Sequence, residues 1–89
     1  MNAIITVVGS DKVGIIARVS GYLAEQNINI IDISQTVLSG NFVMMMVVDL
    51  SSGTEALETV KKELSELGAS FDVSISMMHE KVFSAMHRM

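Results

Sequence analysis

Residues 9–15 read Gly-Ser-Asp-Lys-Val-Gly-Ile, and the hydrophobic pattern of the chain changes at this point. Before it, Ala3 to Val8 is short and rich in β-branched residues, which favours a strand. After it, apolar residues recur at the spacing of an amphipathic helix, namely Ile15, Ile16, Val19, Tyr22 and Leu23. Ser10 and Asp11 offer capping side chains for a helix that begins near Val13. The stretch is therefore predicted to join a strand to a helix.

A long β-branched run follows, from Ile28 to Leu38. Its apolar alternation slips by one residue, so a β-bulge is predicted near Ile31 and Asp32. Ser39-Gly40-Asn41 is typical of a hairpin turn, with the glycine and the asparagine able to take positive φ. Phe42 to Leu50 is predicted to return as a strand.

The C-terminal half repeats the order of helix and strand. Ser52-Gly53-Thr54-Glu55 resembles a capping box, with Thr54 as the alternative N-cap. Leu57, Val60, Leu64 and Leu67 mark a second amphipathic helix, and Gly68 suits its C′ position. From Ala69 to Met77 the residues alternate, with Ala69, Phe71, Val73, Ile75 and Met77 predicted to face inward. The tail has Val82, Phe83, Met86 and Met89 at helical spacing.

The predicted order is β-α-β-β-α-β with a short helix after it. This order is that of the α+β ferredoxin-like fold, an antiparallel sheet with two helices on one face. We expect one domain over residues 2–79 and a helical extension over residues 80–89.

The composition indicates association. A chain of 89 residues buries only about 60–65% of its unfolded surface, yet 49% of these residues are hydrophobic and the mean hydropathy is +0.47. The third predicted strand is apolar on both faces, with Val43, Met45 and Val47 on the face that two helices would leave open. Either the amphipathic tail or a second subunit could cover this face, and a homodimer or higher oligomer is predicted. Pairing of sheet edges and stacking of sheet faces both remain open.

Several classes of protein are not expected. The absence of cysteine excludes disulfides and thiolate chemistry and favours a reducing cytoplasm. No signal peptide and no run of about 20 apolar residues is visible, so no membrane association is expected. A net charge of −4 and 4% aromatic residues argue against nucleic-acid binding. His79 and His87 lack the spacing of a metal site, and no catalytic set or cofactor site is visible, so we predict no enzyme.

The predicted strand-to-helix turn is also the candidate ligand site. Backbone N–H groups of Val13, Gly14 and Ile15 lie unpaired at the positive end of the helix dipole, where a carboxylate is favoured. Gly14 would let a ligand approach this backbone, and the amide of Asn29 could bind a zwitterion. The alternatives are that Asp11 only caps the helix, that Gly14 only aids packing and that Asn29 is a solvated turn residue.

Residues 3–33 resemble the start of an ACT domain, whose pattern is a strand, Asp-x-x-Gly-Ile or Leu, a helix, and Asn-Ile opening the next strand. The chain is most similar to small stand-alone ACT proteins of bacteria and archaea. Its N-terminal part also resembles ACT modules of the glycine-cleavage regulator and of formyltetrahydrofolate deformylase. Asp11, Gly14 and Asn29 match the family positions. Val13 replaces a common proline, and Gly9 stands where some members have a polar residue.

The resemblance implies a regulatory module that binds a small molecule, often an amino acid, at an interface between paired units. Any output would pass through another protein, whose identity the sequence does not give. The alternative is an assembly protein that binds no metabolite and acts by protein contact.

Overall fold

The computed structural model describes residues 1–10, 13–53 and 55–86, without the side chains of Val13 and Met86. The elements are β1 (Asn2–Gly9), α1 (Val13–Glu25), β2 (Asn29–Leu38), β3 (Asn41–Asp49), α2 (Leu57–Ser70), β4 (Ser74–His79) and α3 (Glu80–Met86). The strands form one antiparallel sheet in the order β2-β3-β1-β4. This confirms the predicted α+β ferredoxin-like fold.

The core lies between the sheet and the helices α1 and α2. Alternate residues of β1 and β3 point into it, among them Ile5, Val7, Met44 and Met46, and all are buried. The predicted helix stripes supply the opposite side of the core, namely Ile15, Val19 and Leu23 from α1 and Val60 and Leu64 from α2. Each such side chain stabilises the fold by about 1.5–3 kcal/mol through removal from water.

The predicted bulge in β2 is present. Ile30 lies opposite Val48, but Asp32 rather than Ile31 lies opposite Val47, so β2 has one extra residue. Because side chains alternate between faces, this residue reverses the phase of the rest of the strand. Asp32 therefore faces away from α1 and α2.

The β2–β3 turn differs from the prediction in one residue. Positive φ occurs at Ser39 (53°) and Gly40 (80°), whereas Asn41 already pairs with Leu38 as the first residue of β3. Positive φ at both central positions is the pattern of a two-residue type I′ hairpin loop, whose twist matches that of the strands. The loop is therefore one residue shorter than expected.

The start of α2 also differs from the prediction. Thr54 lies outside the described residues, and α2 begins only at Leu57, with Ala56 at the N-cap. The methyl group of Ala56 cannot accept a capping hydrogen bond. The preceding loop is instead closed by the N–H of Gly53, which donates to the carbonyl oxygen of Leu50 at 3.0 Å.

The boundary between α2 and β4 was predicted wrongly. Gly68 lies inside α2, which continues to Ser70, and β4 begins at Ser74 rather than at Ala69. A Cβ atom on Gly68 would lie 2.8 Å from the carbonyl oxygen of Val73, so this glycine allows the helix to approach β4. The chain reverses at Asp72, whose φ is 58°. Of the residues predicted to face inward, Ile75 and Met77 do so from β4.

α3 packs on the face of the sheet opposite to α1 and α2, which we call the outer face. It contacts β1 and β4. Ile4 points to the outer face, yet only 5% of it is exposed. Phe83 is half-buried while Val82 is exposed, and the predictions for the side chains of Met86 and Met89 lie outside the described residues. The tail is thus a packed helix that covers part of the outer face.

Candidate functional site

The predicted ligand turn follows the end of β1. Asp11 lies outside the described residues, and α1 begins at Val13. Gly14 is half-buried, and the Ile15 side chain is fully buried in the core. The contribution that Ile15 can make to a ligand is therefore its backbone N–H, which lies in the first turn, where N–H groups lack helical partners.

Asn29 lies at the other end of the sheet. It is exposed and pairs with Asp49, which in turn pairs with Asn2 at the start of β1. The end of β1, after which α1 begins, pairs through Phe42 with Val37 of β2. The rise per residue along β2 separates Asn29 from Val37 by roughly 25 Å. A single copy therefore does not bring Asn29 and Gly14 together.

β2 forms one edge of the sheet and is exposed along its whole length. Ile30, Ile33 and Val37 point to the side covered by the helices, yet they are 37%, 42% and 65% exposed. The buried residues on the same side of β1, β3 and β4 are at most 7% exposed. The helix layer therefore ends before β2, and this edge combines uncovered apolar side chains with unpaired backbone groups. The sequence pattern did not predict this.

Two contacts join α1 to α2 and to Phe71, the residue that follows α2. The Tyr22 hydroxyl donates a hydrogen bond to Oε1 of Glu63, and the guanidinium of Arg18 lies 5.5 Å from the ring centroid of Phe71. Burial, followed by the hydrogen bond and the negative charge of Glu63, raises the pKa of Tyr22 above its usual range. Tyr22 was predicted only as a core residue. The tyrosine hydroxyl was the sequence signal that could have predicted a hydrogen bond here, because a partly buried tyrosine usually finds a polar partner.

A polar cluster joins the chain start to the end of β3. Oδ1 of Asp49 accepts hydrogen bonds from the backbone N–H of Ser51 at 2.9 Å and from its hydroxyl at 2.6 Å. The Met1 ammonium lies 3.7 Å from the same oxygen. The hydrogen bonds from Ser51, with a smaller contribution from the ammonium, lower the pKa of Asp49. This cluster is exposed and fixes the end of β3.

A groove lies on the outer face between α3 and β2, and we call it the outer groove. It has a volume of about 180 Å³ and is lined by Ile4, Asp32, Ser34, Met45, Val47 and Phe83. Its floor is apolar, and Asp32 and Ser34 stand at its β2 side. The predicted bulge was a sequence signal for the position of Asp32, but nothing in the sequence indicated a groove.

Within the ranges described, no three histidine, cysteine, aspartate or glutamate side chains are grouped so that they could hold a metal ion. None of the helices in those same ranges is long and apolar enough to cross a membrane.

Comparison with known proteins agrees with this architecture. The profile of the ACT domain family matches residues 2–78. A UPF0237 protein of Clostridium perfringens is 49% identical over 88 residues, covering 99% of each chain. A UPF0237 protein of Methanocaldococcus jannaschii is 44% identical over 85 residues, covering 96% of this chain and 94% of the other.

Solved structures show the same fold. An ACT domain protein from Streptococcus pneumoniae superposes with a TM-score of 0.80 at 43% identity, covering 100% of this chain and 97% of the other. A protein described as a glycine cleavage system transcriptional repressor superposes with a TM-score of 0.71 at 27% identity. The match covers 86% of this chain and 44% of the other. A formyltetrahydrofolate deformylase from Pseudomonas syringae superposes with a TM-score of 0.77 at 23% identity. The match covers 86% of this chain and 26% of the other. The chain therefore belongs to the ACT domain family and, within it, to the UPF0237 proteins of bacteria and archaea.

Proposed function

We propose that the chain is a regulatory module that binds a small molecule, an amino acid, between two copies of itself and has no catalysis of its own. Membership of the ACT family supports the regulatory role. The observation that carries the proposal is the β2 edge, where apolar side chains that point toward the helix layer remain uncovered. A second copy paired along this edge would cover them.

The direction of the strands supports a site shared between copies. A two-fold axis would pair β2 antiparallel with β2 of the second copy and give one continuous sheet. Asn29 of the second copy would then lie beside the Leu38 end of β2. This is the end of the sheet at which α1 begins. Gly14 of one copy and Asn29 of the other would thus approach each other twice in a dimer.

The chemistry of these groups suits an amino acid. Backbone N–H groups of Val13, Gly14 and Ile15 would bind the carboxylate at the positive end of the α1 dipole. Gly14 has no side chain to obstruct the approach. The amide oxygen of Asn29, together with the Asp11 carboxylate predicted from the family pattern, would accept hydrogen bonds from the ammonium group.

Thermal unfolding in the presence of each of the twenty amino acids tests this function. A ligand at 100 times its Kd stabilises the folded state by about 2.7 kcal/mol. Titration calorimetry with the stabilising amino acid then compares Asn29→Ala with Asn2→Ala, an asparagine at the same end of the sheet but on β1. Asn29→Ala should weaken binding by roughly 1.5–3 kcal/mol through loss of a hydrogen bond to a charged group, while Asn2→Ala should not.

Two results would contradict the proposal in different ways. Full affinity in Asn29→Ala would place the site elsewhere. Failure of every amino acid to bind a dimeric protein would favour the second candidate, an assembly protein that acts by contact, because the β2 edge can pair without any ligand.

A further inference from the structure

The outer groove is polar along its β2 side, where Asp32 and Ser34 lie. Across β2, β3 and β1, directly opposed positions hold Asp32, Val47 and Ile4 in turn. Neighbouring strands lie about 4.8 Å apart, so the backbone of Asp32 is roughly 10 Å from that of Ile4. Phe83 from α3 stands at the far side, so the groove runs from a carboxylate across an apolar floor to an aromatic ring.

The bulge is what brings Asp32 to this groove. In a regular strand continuing the pair Ile30–Val48, Asp32 would lie opposite Met46 on the helix side. Ile33 occupies that position instead and is 42% exposed there. Bulges of this kind commonly redirect a side chain toward a site.

The negative charge of Asp32 in the groove favours a positively charged ligand. Of the described side chains that line it, Asp32 alone is ionisable. Its Oδ1 accepts a hydrogen bond from the N–H of Ile33 at 2.9 Å, which holds the carboxylate at the rim. A carboxylate ligand would meet this negative charge without a cationic partner, whereas an ammonium group would pair with it. Met45 and Val47 offer apolar contact to a hydrocarbon chain.

We propose that the outer groove binds a small free amine in its protonated form. The ammonium group lies at Asp32, and an apolar chain of about four to six carbons, as the roughly 10 Å span allows, lies on Met45 and Val47 and reaches Phe83. This site lies on the opposite side of the sheet from α1. It is separate from the proposed amino-acid site and stands whether or not that site exists.

Titration of the full chain with three compounds of equal length tests the ligand class. The probes are pentylamine, 1-pentanol and pentanoate at neutral pH, followed by calorimetry and by the NMR signal of the Met45 methyl group. Pentylamine should bind and shift the Met45 signal. Pentanol should bind at least about tenfold more weakly, because it lacks the charge-assisted hydrogen bond, and pentanoate should not bind.

Asp32→Asn is the decisive variant. The asparagine oxygen can still accept the N–H of Ile33, so the local fold is kept while the charge is lost. Affinity for pentylamine should fall at least about tenfold. Asp72→Asn is the matched control, since this exposed aspartate lies in the turn between α2 and β4 and should leave affinity unchanged.

Three outcomes would overturn the proposal. They are equal affinity for pentylamine and pentanol, unchanged affinity in Asp32→Asn, and no change in the Met45 signal up to the solubility limit of the amine. In the last case, a lower molecular mass for Val47→Glu would show that a second copy covers the outer groove instead.

Discussion

At the scale of single residues, Tyr22 shows how one hydroxyl joins two helices and makes stability depend on pH. Its pKa is raised in the folded state, so the folded protein favours the neutral phenol more than the unfolded chain does. This stabilisation is complete at pH values below the pKa of tyrosine in the unfolded chain, which is about 10, and it is lost as the pH rises above that pKa. Tyr22→Phe should lower the free energy of unfolding by about 1 kcal/mol at neutral pH.

Urea unfolding at neutral pH and at alkaline pH checks this prediction. The difference between wild type and Tyr22→Phe should shrink above pH 10, and lysine titration, present in both proteins, cancels in the comparison. Glu63→Gln serves as a control, because it removes the negative charge but keeps a hydrogen-bond acceptor. A constant difference at all pH values would show that the hydrogen bond to Glu63 does not control the titration of Tyr22.

At the scale of secondary-structure elements, α3 is predicted to stabilise the fold by covering the outer face. Deletion of residues 80–89 would expose Ile4 and the apolar side chains beside it. The free energy of unfolding should fall by about 2–3 kcal/mol. Within the intact chain, Phe83→Ala should reproduce most of this loss, whereas Val82→Ala, on the exposed side of the same helix, should change little. Equal melting temperatures for the truncated and intact chains would contradict the role of α3.

The elements also show what the sequence could predict. Alternation and helical periodicity correctly indicated the type and order of the strands and helices, and even the bulge, because side-chain direction follows directly from residue spacing. Gly68 was misassigned because a glycine that ends a helix and one that lets a helix approach a strand look alike until the neighbouring strand is in place. The width of the helix layer relative to the sheet has no local signal, so neither the uncovered β2 edge nor the separation of Asn29 from Gly14 was foreseen.

At the scale of the whole molecule, the protein is predicted to be at least a dimer through β2. Light scattering at micromolar concentration should give at least twice the chain mass of 9.6 kDa. Val37→Lys should shift the mass toward one chain, since a charge on a flat apolar edge opposes strand pairing. Lys62→Ala, on the exposed surface of α2, is the control. A wild-type mass of one chain would refute the dimer, and an unchanged mass in Val37→Lys would move the interface to another surface.

The strand order β2-β3-β1-β4 also has a consequence for synthesis on the ribosome. β1 is made first and lies between β3 and β4, but β4 ends only at His79. A nascent chain that has emerged from the ribosome as far as Asp49 can already form β1, α1, β2 and β3, yet β1 keeps one unpaired edge until 30 more residues, 50–79, have emerged. At about 5–20 residues per second, synthesis of these residues takes roughly 2–6 s. We therefore expect the emerging chain to be most prone to mispairing between the completion of β3 and the release of β4.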